Sequence, residues 1–551
     1  MTIAPVALVD FTFGVLPSWI TFTAAGNRMQ YDSTGKLTYG PNNLLTYSNT
    51  FSNAAWTNNF ITAASGVSDP LGGSNAWTFT ATNGAGSSYR YQTATVAPSG
   101  AQVLNTVWLR RRTGSGSVYI STPANSDTLV SLTGSWAQYY VAGAASGTTA
   151  YLVVKLATNG DAVDVYAPTL SQVTYETTPR TQDQVITTSA AYYGPRFDYD
   201  PSTLAARGLL IEESRTNLAL NSAALSNWTV SNGTVTNNSG GTTDPSGLNT
   251  STLINPTGGS TTSFYSAAIT TATSTTYTVS AFVKTGGAGF AGVAFYDDTN
   301  SVLKEAVFDL STGANTFTSA GVTALTSVNI GNGWWRVSAQ WTTANNTVSV
   351  LHIVYPHSNG AGGAPAASDK VYVYGPQFEL GSFATSYIPT TSASVTRAAD
   401  VATLGGVALT ALQGANVSVI AEATAPATPA VLGSVVGYNT GQDFLAITTA
   451  NKLASDPGGA LGITSPANTI TIGSPFRAAM SMRTSGAISG VLNGGTVATA
   501  TGTAPASLTA ANLGSINTGF YLNGWFRLIA VYNQRLPDAT LKAKSIVGAS
   551  F

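Results

Sequence analysis

The chain has 551 residues, of which 43% are hydrophobic and only 9% are charged, so it is long enough for two to four domains and too apolar for a disordered protein. Its 23 Lys and Arg are balanced by 24 Asp and Glu, which excludes nucleic-acid binding through phosphate neutralisation. It has no cysteine, which excludes disulfides and thiolate metal sites.

The first 40 residues show neither a basic start that leads into an apolar run nor an apolar segment as long as a membrane span. We therefore expect synthesis and assembly in the cytosol, without membrane insertion. Residues 31–37 partly repeat residues 199–204, just before the next predicted module. We predict residues 1–40 to be a connector or attachment segment and not a separate globule.

Short runs of alternating β-branched and aromatic residues, separated by Gly, Asn, Ser, Thr and Pro, dominate the rest of the chain. Residues 277–283 and 335–341 are examples, and each is expected to bury one face and expose the other. A helical turn is predicted only after Leu536-Pro537-Asp538. The sequence therefore predicts an all-β protein built from tandem antiparallel β-sandwich modules joined by short connectors.

An internal repeat places the modules, because self-similarity over a domain length defines structural units. The matched stretches are 43–48 with 217–222, 51–57 with 225–229, 69–75 with 244–249, Trp136 with Trp334 and Trp335, and 165–168 with 373–376. We place the first module at 41–180 and the second at 213–396, with a connector at 181–212. A change to an Ala-, Gly- and Thr-rich composition marks a third module at 397–551.

The connecting stretches carry a family resemblance. They are Gly194-Pro195-Arg196-Phe197-Asp198-Tyr199-Asp200 with residues 208–213, and residues 385–390 with 395–400. These stretches resemble bacteriophage head-fibre and tail-fibre-like structural proteins. The two repeats resemble jelly-roll carbohydrate-binding modules, and the third module, through residues 522–536, resembles concanavalin A-like (laminin-G-type) sandwiches.

The resemblance implies a virion-surface protein that is assembled in the host cytoplasm. Its expected partners are other virion proteins, a host surface polysaccharide and further copies of itself, with a trimer as the form typical of fibres. Two alternatives stay open: a polysaccharide-degrading enzyme with accessory carbohydrate-binding modules, and a purely architectural capsid decoration protein.

Glycan binding uses aromatic faces against the C–H surfaces of sugars. The candidates are Trp108, Tyr139, Tyr140, Trp334, Trp335 and Trp341. Half or more are expected in cores, since a sandwich needs bulky filling. Because neighbours on a strand point to opposite faces, one of Trp334 and Trp335 is expected to be exposed unless both sheet faces are covered.

The sequence offers few residues that could form a catalytic site, and we predict that the chain is not an enzyme. Asp297 and Asp298 read as a hairpin turn whose side chains diverge, and Glu212-Glu213 are expected to pair with Arg207 or Arg215. A glycanase that uses acids distant in sequence, such as Glu305 and Glu379, stays an alternative.

The two histidines, His352 and His357, lie on and just after a predicted strand that Pro356 interrupts. We expect them to face solvent or to be hydrogen-bonded, and not to bind metal. No cofactor is expected, except that the jelly-roll resemblance allows a structural calcium at Asp161, Asp164 or Asp369, where ordinary loop aspartates are the alternative.

Overall fold

A computed structural model describes residues 3–83, 88–238, 241–430, 432–438, 443–455, 463–483, 486–501, 508–516 and 519–551. Strands make up 49% of the chain and helices 4%, which confirms the all-β prediction. Neighbouring strands pair antiparallel throughout the sheets of the described residues.

The described residues of the N-terminal segment and the first module form fifteen strands. They are β1 Ala7–Asp10, β2 Ile20–Thr23, β3 Met29–Tyr31, β4 Leu37–Tyr39, β5 Asn42–Asn43, β6 Thr57–Asn59, β7 Ile61–Val67, β8 Ala76–Ala81, β9 Ser88–Thr95, β10 Gln102–Thr113, β11 Val118–Ser121, β12 Asp127–Val130, β13 Ala137–Ala144, β14 Thr149–Leu156 and β15 Ala162–Gln172.

The connector and the second module follow. Their strands are β16 Tyr192–Tyr193, β17 Arg196–Tyr199, β18 Ala206–Ile211, β19 Arg215–Asn217, β20 Thr229–Ser231, β21 Gly233–Thr236, β22 Thr252–Pro256, β23 Ser263–Tyr265, β24 Ile269–Thr270, β25 Thr276–Thr285, β26 Phe290–Asp297, β27 Val302–Asp309, β28 Asn315–Thr318, β29 Val322–Gly331, β30 Trp334–Thr342, β31 Ser349–His357 and β32 Val371–Leu380.

The third module contains the remaining elements. They are β33 Val395–Arg397, β34 Val401–Leu404, α1 Gly406–Leu412, β35 Asn416–Thr424, β36 Gly433–Tyr438, β37 Asp443–Ile447, β38 Lys452–Ser455, β39 Ile463–Thr469, β40 Pro475–Arg483, β41 Ala487–Leu492, β42 Ala498–Thr501, β43 Ala511–Leu513, β44 Gly524–Tyr532 and α2 Asp538–Lys544. The predicted helix is α2. No helix among the described residues combines the length and apolarity needed to cross a bilayer.

The first two modules share one strand order. The sheets of the first run β7-β8-β15-β10-β13 and β6-β9-β14-β11-β12. Those of the second run β21-β22-β32-β25-β30-β29 and β20-β23-β31-β26-β27-β28. Each therefore gains one edge strand, and the second sheet also gains β24, which pairs with β31. The sequence repeat is therefore also a repeat of sheet topology, and each copy closes its two sheets over its own apolar core.

Equivalent hydrogen bonds occur at matching positions within each of the two copies. The Asp69 carboxylate accepts the backbone N–H groups of residues 71, 73 and 75, and the Asp244 carboxylate accepts those of residues 246, 248 and 250. Trp136 donates its indole N–H to the carbonyl of residue 68, and Trp334 donates to that of residue 243. Aspartate stabilises such turns because its side chain satisfies several backbone donors at once.

The third sandwich takes strands from distant parts of the chain. β1 and β18 both pair with β44, and β17 pairs with β18, whereas β2 joins the opposite sheet by pairing with β34. Apolar residues of β1, β2 and β18 are buried in the same core as those of residues 402–531. The segments 1–40 and 181–212, predicted as connectors, thus supply structural strands, because their own apolar faces need a partner sheet.

The hairpin β3–β4 covers the outer face of the second module. Met29, Leu37 and Tyr39 pack against Phe282 and Trp334 of β25 and β30. These two strands are consequently buried on both faces over most of their length, and the expectation of one solvent face was wrong for them. The sequence pattern of a strand does not show that a remote hairpin will cover its second face.

Buried charges join the N-terminal segment and the connector to the third module. Asp400 accepts from Arg28 and Arg196, and Glu212 lies 2.8 Å from Arg196 and 3.6 Å from Arg397. Burial alone would raise the pKa of Glu212, but the two arginines outweigh it and hold that pKa well below its usual value. The residues come from four separate stretches of chain, so this cluster stabilises the junction.

Candidate functional site

An open groove on the first module is lined by tyrosines. It lies on the outer face of the sheet β6-β9-β14-β11-β12 and has a volume of about 560 Å³. Its lining residues are Tyr89, Tyr91, Asn125, Asp127, Tyr151, Val153 and Lys155. We call it the tyrosine groove.

Strand alternation explains why these side chains share one face. Tyr89 and Tyr91 are two residues apart on β9, and the residues between and beside them, including Arg90, are buried. On β14, Leu152 and Val154 enter the core while Tyr151 and Lys155 point outward. The period of two thus separates the groove from the core.

Three half-exposed rings form a continuous aromatic wall. The centroids of Tyr89 and Tyr91 are 6.0 Å apart, and those of Tyr91 and Tyr151 are 6.4 Å apart. Within the described part of the chain, no protein group is hydrogen-bonded to these three phenol groups. The hydroxyls are therefore available to a ligand, while the rings offer apolar faces.

The polar end of the groove carries one charge of each sign. Lys155 Nζ lies 2.6 Å from Asp127 Oδ2 and 5.7 Å from the centre of the Tyr119 ring. Asn125 lies in the adjoining turn with φ of 66°, a left-handed conformation that asparagine tolerates better than most residues. The groove thus combines aromatic faces, amide and hydroxyl groups, and no net charge.

Among the predicted aromatic residues of the first module, none lines this groove. Tyr139 packs against the core and donates its hydroxyl to the Ser131 carbonyl, and burial raises its pKa. Trp108 and the exposed Tyr140 lie on the opposite sheet, on β10 and β13.

The predicted tryptophans of the second module are structural. Trp334 is buried beneath the β3–β4 hairpin, and Trp335 packs against the core and donates to the Leu310 carbonyl at 2.9 Å. Trp341 is buried with its ring 5.7 Å from that of Phe295. Both faces of the sheet are covered at the Trp334–Trp335 pair, which is the case in which neither ring was expected to be exposed.

The three aspartates considered for calcium do not fit such an ion. Asp164 is held by Arg110 and Arg112, and Asp161 by Arg111. Asp369 accepts a backbone N–H three residues before it. Calcium requires six to eight oxygen ligands, whereas guanidinium groups already neutralise two of these carboxylates. No three His, Asp or Glu side chains of the described residues are grouped as metal ligands would be.

The four acids considered for hydrolysis have structural partners or lie on different sheets. Asp297 accepts hydrogen bonds from Asn300 and Thr347 in the predicted hairpin turn, and Asp298 accepts from Ser349. The other two acids, Glu305 on β27 and the fully buried Glu379 on β32, belong to different sheets.

The connector acids pair only partly as expected. Glu213 contacts Arg215 as predicted, whereas Glu212 contacts Arg196 and Arg397 instead of Arg207 or Arg215.

Both histidines lie on one strand, β31, which continues through Pro356. His357 is 3.6 Å from Glu305, while His352 is fully buried and neither of its ring nitrogens has a hydrogen-bond partner among the described residues. The expectation of an exposed or hydrogen-bonded side chain was therefore wrong for His352.

Sequence reasoning missed the tyrosine groove although a signal was present. The motif Tyr89-Arg90-Tyr91 alternates aromatic and other side chains on a predicted strand, and Tyr151 follows the same alternation on β14. The tryptophans predicted as candidates here mostly fill cores.

No family model and no curated protein matches the chain. Solved structures do align with parts of it. The CBM40 module of a Ruminococcus gnavus sialidase, bound to α2,3-sialyllactose, is 15% identical and aligns over 25% of this chain and 85% of its own, with a TM-score of 0.21. The tandem CBM22 modules of Paenibacillus barcinonensis Xyn10C are 12% identical over 62% of this chain and 98% of theirs, with a TM-score of 0.20.

A third alignment involves the enzymatically active domain of tailspike protein 4 from bacteriophage CBA120. It is 12% identical and covers 24% of this chain and 21% of that one, with a TM-score of 0.19.

Proposed function

We propose that this chain is a structural protein of a virion surface, a fibre, spike or decoration subunit, and that its tyrosine groove binds a neutral glycan of the host cell. The groove itself carries the proposal: three half-exposed tyrosine rings with free hydroxyls line a volume of about 560 Å³. Aromatic rings pack on the C–H faces of sugars, and the amide, carboxylate and ammonium groups beside them can bond to sugar hydroxyls.

The preference for a neutral glycan follows from the charges. Lys155 and Asp127 are paired at 2.6 Å, so an acidic sugar would have to compete with Asp127 for the ammonium group and would meet a carboxylate. Sugar hydroxyls can instead bond to either member of the pair without separating the charges. Neutral hexoses or pentoses are therefore the expected ligands.

We further propose that the groove binds without cleaving. Most glycoside hydrolases use two carboxyl groups, one on either side of the scissile bond. Asp127 is the single carboxylate among the lining residues, and its partner is a lysine. The alternative function is that of a polysaccharide-degrading enzyme. It predicts that the protein releases reducing sugar from a polysaccharide and that substitution of a carboxylate abolishes this release.

The virion location rests on the resemblance of the connecting stretches, together with the tandem-module architecture. Imaging of labelled protein on intact particles tests this part and distinguishes a head from a tail position. A purely architectural decoration protein would appear on particles, and its loss would destabilise them, without any glycan being bound.

Glycan binding is tested with the full chain on a glycan array, followed by titration calorimetry on the sugars that bind. Tyr91→Ala is expected to weaken binding about tenfold or more, a change of about 1.4 kcal/mol that is in the range of one aromatic contact. Tyr140→Ala is the matched control, because Tyr140 is an exposed tyrosine of the same module on the other sheet. Binding unaffected by Tyr91→Ala, or no neutral glycan bound at all, overturns the proposal.

A further inference from the structure

A cavity of about 140 Å³ lies where the β3–β4 hairpin, the second module and the third module meet. Its walls come from the hairpin, from β29 and β30 of the second module, and from β17, β18 and β44 of the third sandwich. We call it the junction cavity. Sites for small molecules occur preferentially at the interfaces between domains. A protein cavity of roughly 150 Å³ can hold one benzene ring, so the junction cavity is large enough for a single six-membered ring.

Three residues that line the junction cavity each carry a buried polar atom without a hydrogen-bond partner in the residue ranges that the structure describes. These atoms are Gln30 Oε1, the Tyr31 hydroxyl and Arg336 Nε. A buried polar atom that stays unpaired destabilises a protein, so native structures supply nearly all such atoms with a partner. The junction cavity is the space in which a partner for these three atoms can lie.

Neighbouring polar groups are already paired within the protein. Asp198 accepts from the Tyr31 backbone N–H at 2.6 Å and from the Trp525 indole at 2.7 Å. Arg336 donates through a terminal nitrogen to the Thr385 carbonyl at 2.6 Å. The unpaired atoms therefore remain for a ligand.

The three unpaired atoms match the hydrogen-bonding capacity of hydroxyl groups. Arg336 Nε can only donate, and Gln30 Oε1 can only accept. Burial raises the pKa of Tyr31, so its hydroxyl keeps its proton and can do both. A ligand hydroxyl can pair with any of them, because it also donates and accepts.

The charges around the junction cavity are close to balance. Two arginines and two acids line it, which are Arg207, Arg336, Asp198 and Glu212. The residues paired with them or adjoining them add three arginines and two acids, which are Arg28, Arg196, Arg397, Asp200 and Asp400. A charged ligand of either sign would meet two groups of its own sign at the cavity wall. The cavity therefore favours a neutral ligand.

Two larger cavities share walls with the junction cavity. One, of about 340 Å³, has Arg207 and Trp525 in common with it, and the other, of about 290 Å³, has Phe383 and Asn523 in common with it. The first is also lined by Arg527, whose side chain is 40% exposed, so solvent reaches it. The three cavities form a cleft that is longer than one ring, and groups attached to a ring in the junction cavity can occupy the larger two.

Trp525 supplies a fixed aromatic wall between the junction cavity and the larger of its neighbours. Its indole is held by the hydrogen bond to Asp198 and by the Arg207 guanidinium, which lies 4.7 Å from the ring centre. Aromatic rings pack on the C–H faces of sugars, and a wall that is fixed in advance reduces the entropy lost on binding. The junction cavity thus combines an aromatic face with atoms that bind hydroxyl groups.

We propose that the cleft between the second and third modules binds a neutral saccharide, with one sugar ring in the junction cavity. The hydroxyl groups of that ring pair with Gln30, Tyr31 and Arg336. This site is separate from the tyrosine groove, which lies on the first module, so each can bind without the other. The bound ring contacts the hairpin and both modules, so it stabilises their junction.

The test uses the full chain with Tyr91→Ala, which removes binding in the tyrosine groove. Titration calorimetry with D-glucose, D-galactose, D-mannose, D-xylose and their disaccharides is expected to detect binding of at least one sugar. Tyr31→Phe and Gln30→Met, each added to this chain, are expected to weaken that binding about fivefold or more, because each removes one hydrogen bond. In the absence of sugar, Tyr31→Phe is expected to leave the unfolding temperature unchanged, since its hydroxyl has no partner in the described residue ranges.

Tyr39→Phe is the matched control. Tyr39 lies on the same hairpin but does not line the junction cavity, and its hydroxyl donates to the Ala97 carbonyl at 3.3 Å. This variant is expected to bind sugar as before and to unfold at a lower temperature. The two readouts together separate loss of a ligand contact from loss of stability.

Four results overturn the proposal. They are a Tyr91→Ala chain that binds none of these sugars, binding that both Tyr31→Phe and Gln30→Met leave unchanged, tighter binding of D-glucuronate than of D-glucose, and a Tyr31→Phe chain that is destabilised as much as Tyr39→Phe. The first of these, with sugar still bound by the wild type, assigns all binding to the tyrosine groove. Sugar binding that is equal in the wild type and in Tyr91→Ala supports the cleft and counts against the groove.

Discussion

The buried imidazole of His352 makes the stability of the second module dependent on pH. The ring lies in the core with an edge-on contact to Trp228 at 5.5 Å, and its two nitrogens have no hydrogen-bond partner among the described residues. Burial disfavours the charged form and lowers the pKa of His352 to about 3. The folded module therefore holds a neutral histidine at every pH above that value.

The size of the effect follows from proton linkage. In the unfolded chain a histidine has a pKa of about 6.5, so between about pH 6.5 and 3 the unfolded state binds a proton that the folded state excludes. Stability from this residue is complete above the unfolded pKa and is lost as the pH falls. At about pH 5 the loss is about 2 kcal/mol relative to neutral pH.

Hydrogen exchange followed by mass spectrometry on peptides that cover β31 and β26 measures the opening free energy of this module. It is compared at about pH 7.5 and pH 5, after correction for intrinsic exchange, in the wild type and in His352→Leu. The wild type is expected to lose about 2 kcal/mol more than the variant between these pH values, whatever the packing effect of leucine. Equal losses in both proteins would refute a neutral buried imidazole.

Three further predictions concern the junction and the repeat. Glu212→Gln leaves Arg196 without part of its counter-charge, and calorimetry is expected to show a loss of about 3 kcal/mol at neutral pH. The wild type is also expected to lose stability as the pH falls below about 4.3, the pKa of an unfolded glutamate, and the variant is expected to lack this contribution. Asp244→Ala removes the acceptor of three backbone N–H groups, so faster hydrogen exchange is expected in residues 244–250, with no change in the equivalent turn at Asp69. Trp334→Phe keeps the apolar ring but leaves the Thr243 carbonyl without its donor, and a destabilisation of about 1 kcal/mol is expected in chemical denaturation.

The local features of the fold could be predicted from the sequence. The alternation of apolar and polar residues predicted the strands. The Asp-Pro turns at Asp69 and Asp244 indicated the repeat, which the matching strand orders of the first two modules confirm. The start of α2 at Asp538 also agrees with its Pro-Asp signal. Each of these signals lies within a few residues, where backbone preference and hydrogen bonding act directly.

Long-range contacts could not be predicted in this way. The sequence of residues 29–39 does not indicate that they cover Trp334. The alternation in β1 predicts a strand but does not indicate that it pairs with β44, about 520 positions away. For this reason the sequence did not show that the ring of Trp334 is covered. The tyrosine groove is the opposite case, since its pattern was local at Tyr89 and Tyr91.

The pairing of β1 with β44 determines how the protein bears mechanical load. Residues near the two ends of the sequence are strands of one sandwich, and the first and second modules are each an excursion of the chain from that sandwich. Tension applied between the ends would therefore be carried by the third sandwich alone. The first two modules would bear no force until β1 and β2 had separated from that sandwich, so the tyrosine groove would keep its shape.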